Sequence, residues 1–268
     1  PLTPGMFGYS VIRNSTYSEL FNEFMAYCDS MDIPIEGLHC ETGPAVWEAA
    51  IKYDVAARAV DKASLFKTFT KVFFQKRELM ATFMARWYPG QSGHIHQSFF
   101  DIKSGKPLFY NKADAHGMSD LMKSYVAGQV KYIKSFLAMT SPTINSYARL
   151  VKGFWAPTAA TWGVENRTTA LRVIPGSEKS QRVEFRVGSA DANPYLAAAA
   201  VIGAGLLGIE QKLKLGKPVQ GSAYKVQESL PESLQFPTNL RSSVENLKAS
   251  KEARGLFGKD FVEHFIAT

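Results

Sequence analysis

The chain has 268 residues, of which 46% are hydrophobic and 21% charged, the ordinary mix for a globular protein that can bury its own core. That composition excludes disordered, collagen-like and disulfide-scaffold chains. The formal charge is +7, from 31 basic and 24 acidic residues. It suits anionic partners in general, but the basic residues are dispersed and no basic-aromatic module stands out, so no nucleic-acid partner is expected.

The predicted elements run as follows. Thr16-x-x-Glu19 reads as a capping box, followed by apolar residues at helical spacing through Leu20, Phe21, Phe24, Met25 and Cys28. Segment 37–51 reads as two short strands interrupted at Thr42, Gly43 and Pro44. A long amphipathic helix is expected over 54–80, then strands over 81–84 and 94–101. Ser104 and Gly105 turn the chain toward Leu108, Phe109 and Tyr110. A second long helix spans 118–139, and 155–187 is β-rich, with loops at Glu165-Asn166 and Pro175-Gly176. Asn193 and Pro194 open a helix as N-cap and first-turn proline. It runs to about Leu213 and is apolar nearly all round, which calls for a large core or a subunit interface. The last forty residues are polar and helical.

Helices alternating with short strands indicate an α+β domain with a largely antiparallel sheet flanked by helices. The longest apolar run, 195–209, falls short of the ~20 residues of a membrane span, and no basic-then-apolar leader opens the chain. No membrane partner is therefore expected. Cys28 and Cys40, the only cysteines, make neither a disulfide framework nor a zinc quartet. A reducing, cytoplasmic setting is the simplest expectation.

Three groups of residues carry chemistry. Glu41 and Glu48 are seven apart, an odd spacing that puts them on opposite faces of a continuous strand; the Gly43-Pro44 break resets this and lets both face one cleft. His94, His96 and Ser98 share one face of a strand, behind the 89–93 loop. Arg182, Glu184 and Arg186 share another, with Val183 and Phe185 opposite. Arg149, Arg167 and Arg172 add cations suited to carboxylate and phosphate. Carboxylates with an imidazole suit Mg²⁺ or Mn²⁺, and the set as a whole suits metal-assisted phosphoryl transfer.

Six blocks in order resemble the catalytic domain of the glutamine synthetase superfamily: 41–48 (ETGPAVWE), 93–98 (GHIHQS), 145–149 (NSYAR), 166–172 (NRTTALR), 182–186 (RVEFR) and 193–196 (NPYL). The resemblance covers nearly the whole of 1–268 as one catalytic domain. It implies an ATP-dependent ligase that phosphorylates the γ-carboxylate of glutamate and lets ammonia or a small organic amine displace the phosphate. Glu41 and Glu48 would bind one divalent ion, Mg²⁺ or Mn²⁺, and His94 with Glu184 a second. His96, Ser98, Arg182 and Lys179 would contact ATP. Arg149 and Arg186 would hold the substrate α-carboxylate, with the Gly90 backbone lining that pocket, and Arg167 and Arg172 would stabilise the transferring phosphoryl group. The family also implies a homo-oligomer of stacked rings.

The chain departs from the family pattern at four points. The family's Glu-x-Glu strand and small N-terminal β-grasp domain are missing from 1–268, which reads as a catalytic piece cut at both ends. Trp155 stands six residues after Arg149, where ammonia-using members carry a glutamate. Pro89 replaces an asparagine of the substrate loop, and Val46 a common glutamine. Trp155 is an apolar face able to hold an alkylammonium by cation–π contact, which favours an organic amine and makes Trp155 a substrate-binding candidate. The rival reading is a non-catalytic structural relative that keeps the fold.

Overall fold

The computed structural model describes residues 2–88 and 90–268. The chain divides into two compact units, the first comprising residues up to 91 together with 193–195, the second 92–192 and 196–268.

The first unit contains α1 (Val11–Thr16), α2 (Ser18–Ser30), β1 (Ile35–Cys40), β2 (Trp47–Ile51) and α3 (Ala56–Gln75). Strands β1 and β2 form an antiparallel hairpin in which His39 faces Glu48 and Cys40 faces Trp47. Aromatic packing holds the helices on it. Phe24 of α2 lies 5.2 Å, centroid to centroid, from both Phe73 and Phe74 of α3, and Phe21 lies 3.9 Å from Trp47. Such contacts combine large apolar burial with favoured ring geometries.

The expected capping box at Thr16 is not formed. Thr16 ends α1, and its hydroxyl donates to the Ile12 carbonyl. Ser10 caps α1, and α2 starts after Tyr17 with no side-chain cap. Helix α3 also stops short of residue 80. Leu79 N donates to the Phe74 carbonyl, and Glu78 takes a left-handed conformation (φ 58°) that turns the chain. Segment 81–84 is irregular rather than a strand: β1 and β2 form a sheet of two strands only, and the segment instead packs Ala81 against the aromatic cluster.

The second unit is built on a four-stranded sheet in the order β3-β6-β5-β4, from β3 (Ile95–Gln97), β4 (Trp162–Val164), β5 (Leu171–Ile174) and β6 (Arg182–Phe185). Pairs β3–β6 and β6–β5 are antiparallel, and β4–β5 is parallel. The sheet is thus largely antiparallel, as expected. The apolar sides of β5 and β6, including Leu171, Val173, Val183 and Phe185, enter a core with Tyr125, Val126, Ile133 and Leu137 of α4 (Asp120–Thr140).

The expected strand over 94–101 shrinks to the three residues of β3. Beyond it Phe100 pairs with Pro107 across the tight Asp101–Gly105 turn, and Tyr110 pairs with Met118 across a second turn closed by Asn111 N donating to Gly117 O, both as isolated bridges. The sequence reading assigned no element to α5 (Ile144–Arg149), whose capping box uses Thr143 and Ser146 in place of the usual acidic partner.

Helix α6 (Pro194–Glu210) starts at the expected proline and stops three residues earlier than expected, where Lys212 turns left-handed (φ 50°). It crosses α4 at glycines: a Cβ on Gly128 would stand 2.3 Å from the Ala204 carbonyl oxygen and 2.6 Å from Gly208 N. After the short α7 (Ala223–Val226), the C-terminal part is helical as expected, in α8 (Leu240–Ala249), α9 (Lys251–Phe257) and α10 (Lys259–Ala267). These pack Leu247, Ala253 and Val262 against Tyr132, Phe136 and Met139.

Candidate active site

In the first unit the β1/β2 hairpin builds a polar cluster. His39 and Glu41 are two apart and so share a face, and Glu48 is the cross-strand partner of His39. The turn between them, closed by Glu41 N donating to Val46 O at 2.8 Å, resets the odd spacing. His39 Nε2 lies 3.1 Å from Glu41 Oε1 and 3.8 Å from Glu48 Oε2. Tyr9 stacks on His39 at 4.9 Å and donates its hydroxyl to Glu41 at 3.0 Å. Burial works to raise the Glu41 pKa, but the bonds from His39, Tyr9 and the Thr42 amide hold it below its ordinary value.

One ligand atom from each of His39, Glu41 and Glu48 lies within 4.8 Å of the others. Two carboxylates and an imidazole fit a hard divalent cation. Sequence reasoning missed His39. The available signal was its place two residues before Glu41 in an alternating strand.

In the second unit the centre is Glu184, 3% exposed on β6. The register aligns His96, Glu184 and Arg172 across β3, β6 and β5. Arg186 Nη1 donates to Glu184 Oε1 at 2.6 Å, and Arg172 Nη1 donates to Oε2 at 3.2 Å. His94 Nδ1 lies 3.2 Å from Oε1, and His96 Nε2 lies 4.0 Å away. Arg182 Nε donates to His96 Nδ1 at 3.3 Å. Despite the neighbouring carboxylate, His94 titrates well below its ordinary value, because of burial first and then the Arg186 and Arg149 guanidiniums. A neutral imidazole keeps a lone pair for a cation, so His94 and Glu184 offer one nitrogen and one carboxylate to a metal.

The arginines divide by partner. Arg172 also binds Glu165, with Nε donating at 3.1 Å. Arg149 is buried and donates to the Val187 and Arg186 carbonyls at 2.8 and 3.1 Å. It forms no direct ion pair among the described residues; burial followed by Arg186 pushes its pKa down to about 10, and the more distant Asp191 carboxylate offsets only part of this. A buried guanidinium without a directly paired counter-ion is costly and fits an anion held from outside the chain. Arg167 is exposed, and its guanidinium bonds no described residue. Its carbonyl accepts from Arg186 Nε at 3.1 Å.

The remaining candidates stand apart from the Glu184 cluster in bonding. Ser98 and Lys179 are exposed, the latter in the turn before β6. Gly90 is exposed and bridged to Arg86 in the first unit, while Pro89 lies outside the described residues. Trp155 is 69% exposed on a tight turn and left-handed (φ 58°), two residues after the left-handed Gly153. A bulky side chain at positive φ is uncommon.

Comparison with known proteins identifies the family to which the chain belongs. The profile of the glutamine synthetase catalytic domain matches residues 4–268. Type-1 glutamine synthetase 2 of Dictyostelium discoideum is 48% identical over 273 residues, covering 100% of this chain and 52% of that protein. A glutamate–isopropylamine ligase of a Pseudomonas species is 37% identical over 260 residues, covering 96% of this chain and 56% of that protein. The solved structure of apo GmaS without ligand superposes with a TM-score of 0.88 at 27% identity, covering 99% of this chain and 61% of that one. The chain thus spans about half the length of the curated relatives it matches. Over that span it belongs to the glutamine synthetase catalytic-domain family.

Proposed function

We propose that the protein is an ATP-dependent carbon–nitrogen ligase that joins the γ-carboxylate of glutamate to an amine or ammonia. The observation that carries this reading is the buried Glu184 with its ring of His94, His96, Arg172 and Arg186, beside an Arg149 that has no carboxylate of its own. A γ-carboxylate oxygen attacks the terminal phosphorus of ATP, and ADP leaves with the bridging oxygen. The amine nitrogen then attacks the acyl carbon. The carbon–oxygen bond breaks with its electron pair on phosphate, and the amine gives up a proton. Mg²⁺ or Mn²⁺ would offset the phosphate charge, held by His39, Glu41 and Glu48 and by His94 and Glu184. His96, Arg182, Ser98 and Lys179 would bind ATP. Arg149 and Arg186 would take the substrate α-carboxylate, and Arg167 and Arg172 would stabilise charge on the transferring phosphoryl group. We place the enzyme in the cytoplasm as a homo-oligomer; two free, buried cysteines fit a reducing compartment, and no described helix is long and apolar enough to cross a membrane.

Trp155 favours an organic amine. It has no carboxylate with which to attract ammonium and take its proton, but it offers an apolar ring to an alkyl group. One buried methylene is worth ~0.8 kcal/mol, and a cation–π contact adds ~0.5–2 kcal/mol. The test is ADP release by the intact protein with glutamate, ATP, Mn²⁺ and each amine in turn. The expected result is a higher kcat/KM for a small alkylamine than for ammonia, with Trp155→Glu shifting preference back. Equal or better turnover with ammonia overturns the alkylamine reading. No ADP release with any amine favours the non-catalytic structural relative.

A further inference from the structure

The Tyr224 hydroxyl is buried and has no hydrogen-bond partner among the described residues. A buried polar atom left unpaired is rare in a folded protein and calls for an explanation. Tyr224 sits on α7, and the chain around it is clamped to one loop. Ala223 N donates to Thr168 Oγ1 at 2.8 Å. Asn166 Nδ2 donates to the Gly221 carbonyl at 2.7 Å and to that of Val219 at 3.3 Å. The residue between those two anchors is Arg167, whose carbonyl orients Arg186. The loop that aims Arg186 therefore also seats Tyr224.

The phenol is coupled electrostatically to both Arg186 and Arg149. Burial raises its pKa and the two guanidiniums oppose that rise, leaving it above its ordinary value, so the hydroxyl is a donor at neutral pH. The same region thus holds a buried guanidinium without a direct ion pair and a buried hydroxyl without an acceptor among the described residues. An anionic oxygen supplied by a ligand answers both.

We propose that Tyr224 is a further substrate-binding residue, donating its hydroxyl to the amino-acid carboxylate held by Arg149 and Arg186. This rests on the ligase reading above and adds to it a neutral donor that distinguishes a carboxylate from a bare negative charge.

Tyr224→Phe removes one oxygen and tests the idea in the intact protein. The hydroxyl bonds no described residue of the protein, so its loss should leave the Tm unchanged or slightly raised in the absence of glutamate. With glutamate present the variant loses a charge-assisted bond. KM for glutamate should rise roughly tenfold with kcat changed less than twofold, and the upward Tm shift produced by glutamate should shrink. A variant that unfolds, or whose Tm falls without glutamate, overturns the proposal in favour of a structural role. If Arg149→Lys raises KM for glutamate and Tyr224→Phe does not, the proposal fails while the ligase reading stands. If neither variant changes glutamate binding, the substrate pocket itself is wrongly assigned.

Discussion

Glu184 and Arg149 illustrate how burial decides what a charged side chain is for. Glu184 is buried yet fully engaged, by Arg186, Arg172 and His94, so its charge is compensated within the fold. Arg149 is equally buried but bonds only backbone carbonyls, and so keeps a charge to spend on a ligand. Arg167 differs from both. It is exposed and its guanidinium bonds no described residue, although the backbone beneath it is fixed by Arg186. A free cation on a fixed loop suits a contact made mainly as charge builds on a transferring phosphoryl group. Arg167→Ala in the intact enzyme should therefore lower kcat by roughly 10²–10³-fold while changing KM far less. Steady-state kinetics at saturating glutamate and ATP measure this, and a variant with normal turnover removes Arg167 from the phosphoryl role.

At the scale of elements, α4 and α6 cross at glycines. Gly128 and Gly208 meet backbone to backbone, and a Cβ on Gly128 would lie 2.3 Å from a main-chain oxygen that no rotamer change can move. The network of Gln97, Tyr125 and Gln129 lies beside it. Tyr125 and Gln129 both donate to Gln97 Oε1, at 2.5 and 2.7 Å, which ties α4 to β3 and so to His94 and His96. Gly128→Ala should destabilise the protein by about 3 kcal/mol, the upper end of overpacking costs, lowering Tm by roughly 6–12 °C. Gly216→Ala is the control, because a Cβ there meets nothing within 4 Å. Thermal denaturation followed by circular dichroism measures both. A Gly128→Ala protein as stable as the control would mean that the helices can separate at no cost.

For the whole molecule, the segment 6–12 is the feature that points beyond a single chain. Helix α1 buries none of its residues, and Met6, Phe7, Val11 and Ile12 are all exposed. Contiguous apolar exposure of this kind marks an interaction surface, and the homo-oligomer proposed above would cover it. Light scattering on the intact protein should return a mass several times that of one subunit. A stable monomer would count against the proposed assembly.

Much of this protein is legible in the amino-acid order because its signals are local. The proline at the start of α6, the helical period of α2, and the alternation of charge and apolar residues along β6 each depend only on neighbours in the chain. So does the pairing of His94 with His96 across one intervening residue. The misreadings arose where a distant segment decides. Segment 81–84 has strand-like residues but, among the described residues, no strand pairs with it, and β3 is limited to the three residues that pair with β6. The parallel pairing of β4 with β5 is carried by just six connecting residues, 165–170, where a longer crossover is usual. His39 is brought to Glu48 only through cross-strand register, and Tyr224 comes within electrostatic reach of the arginines where Asn166 and Thr168 hold the chain around α7 in place. The residue types needed for the chemistry are therefore set by sequence. Which of them are buried, paired or left without a partner is set by tertiary structure, because burial and partnership are properties of surroundings that the linear order does not contain.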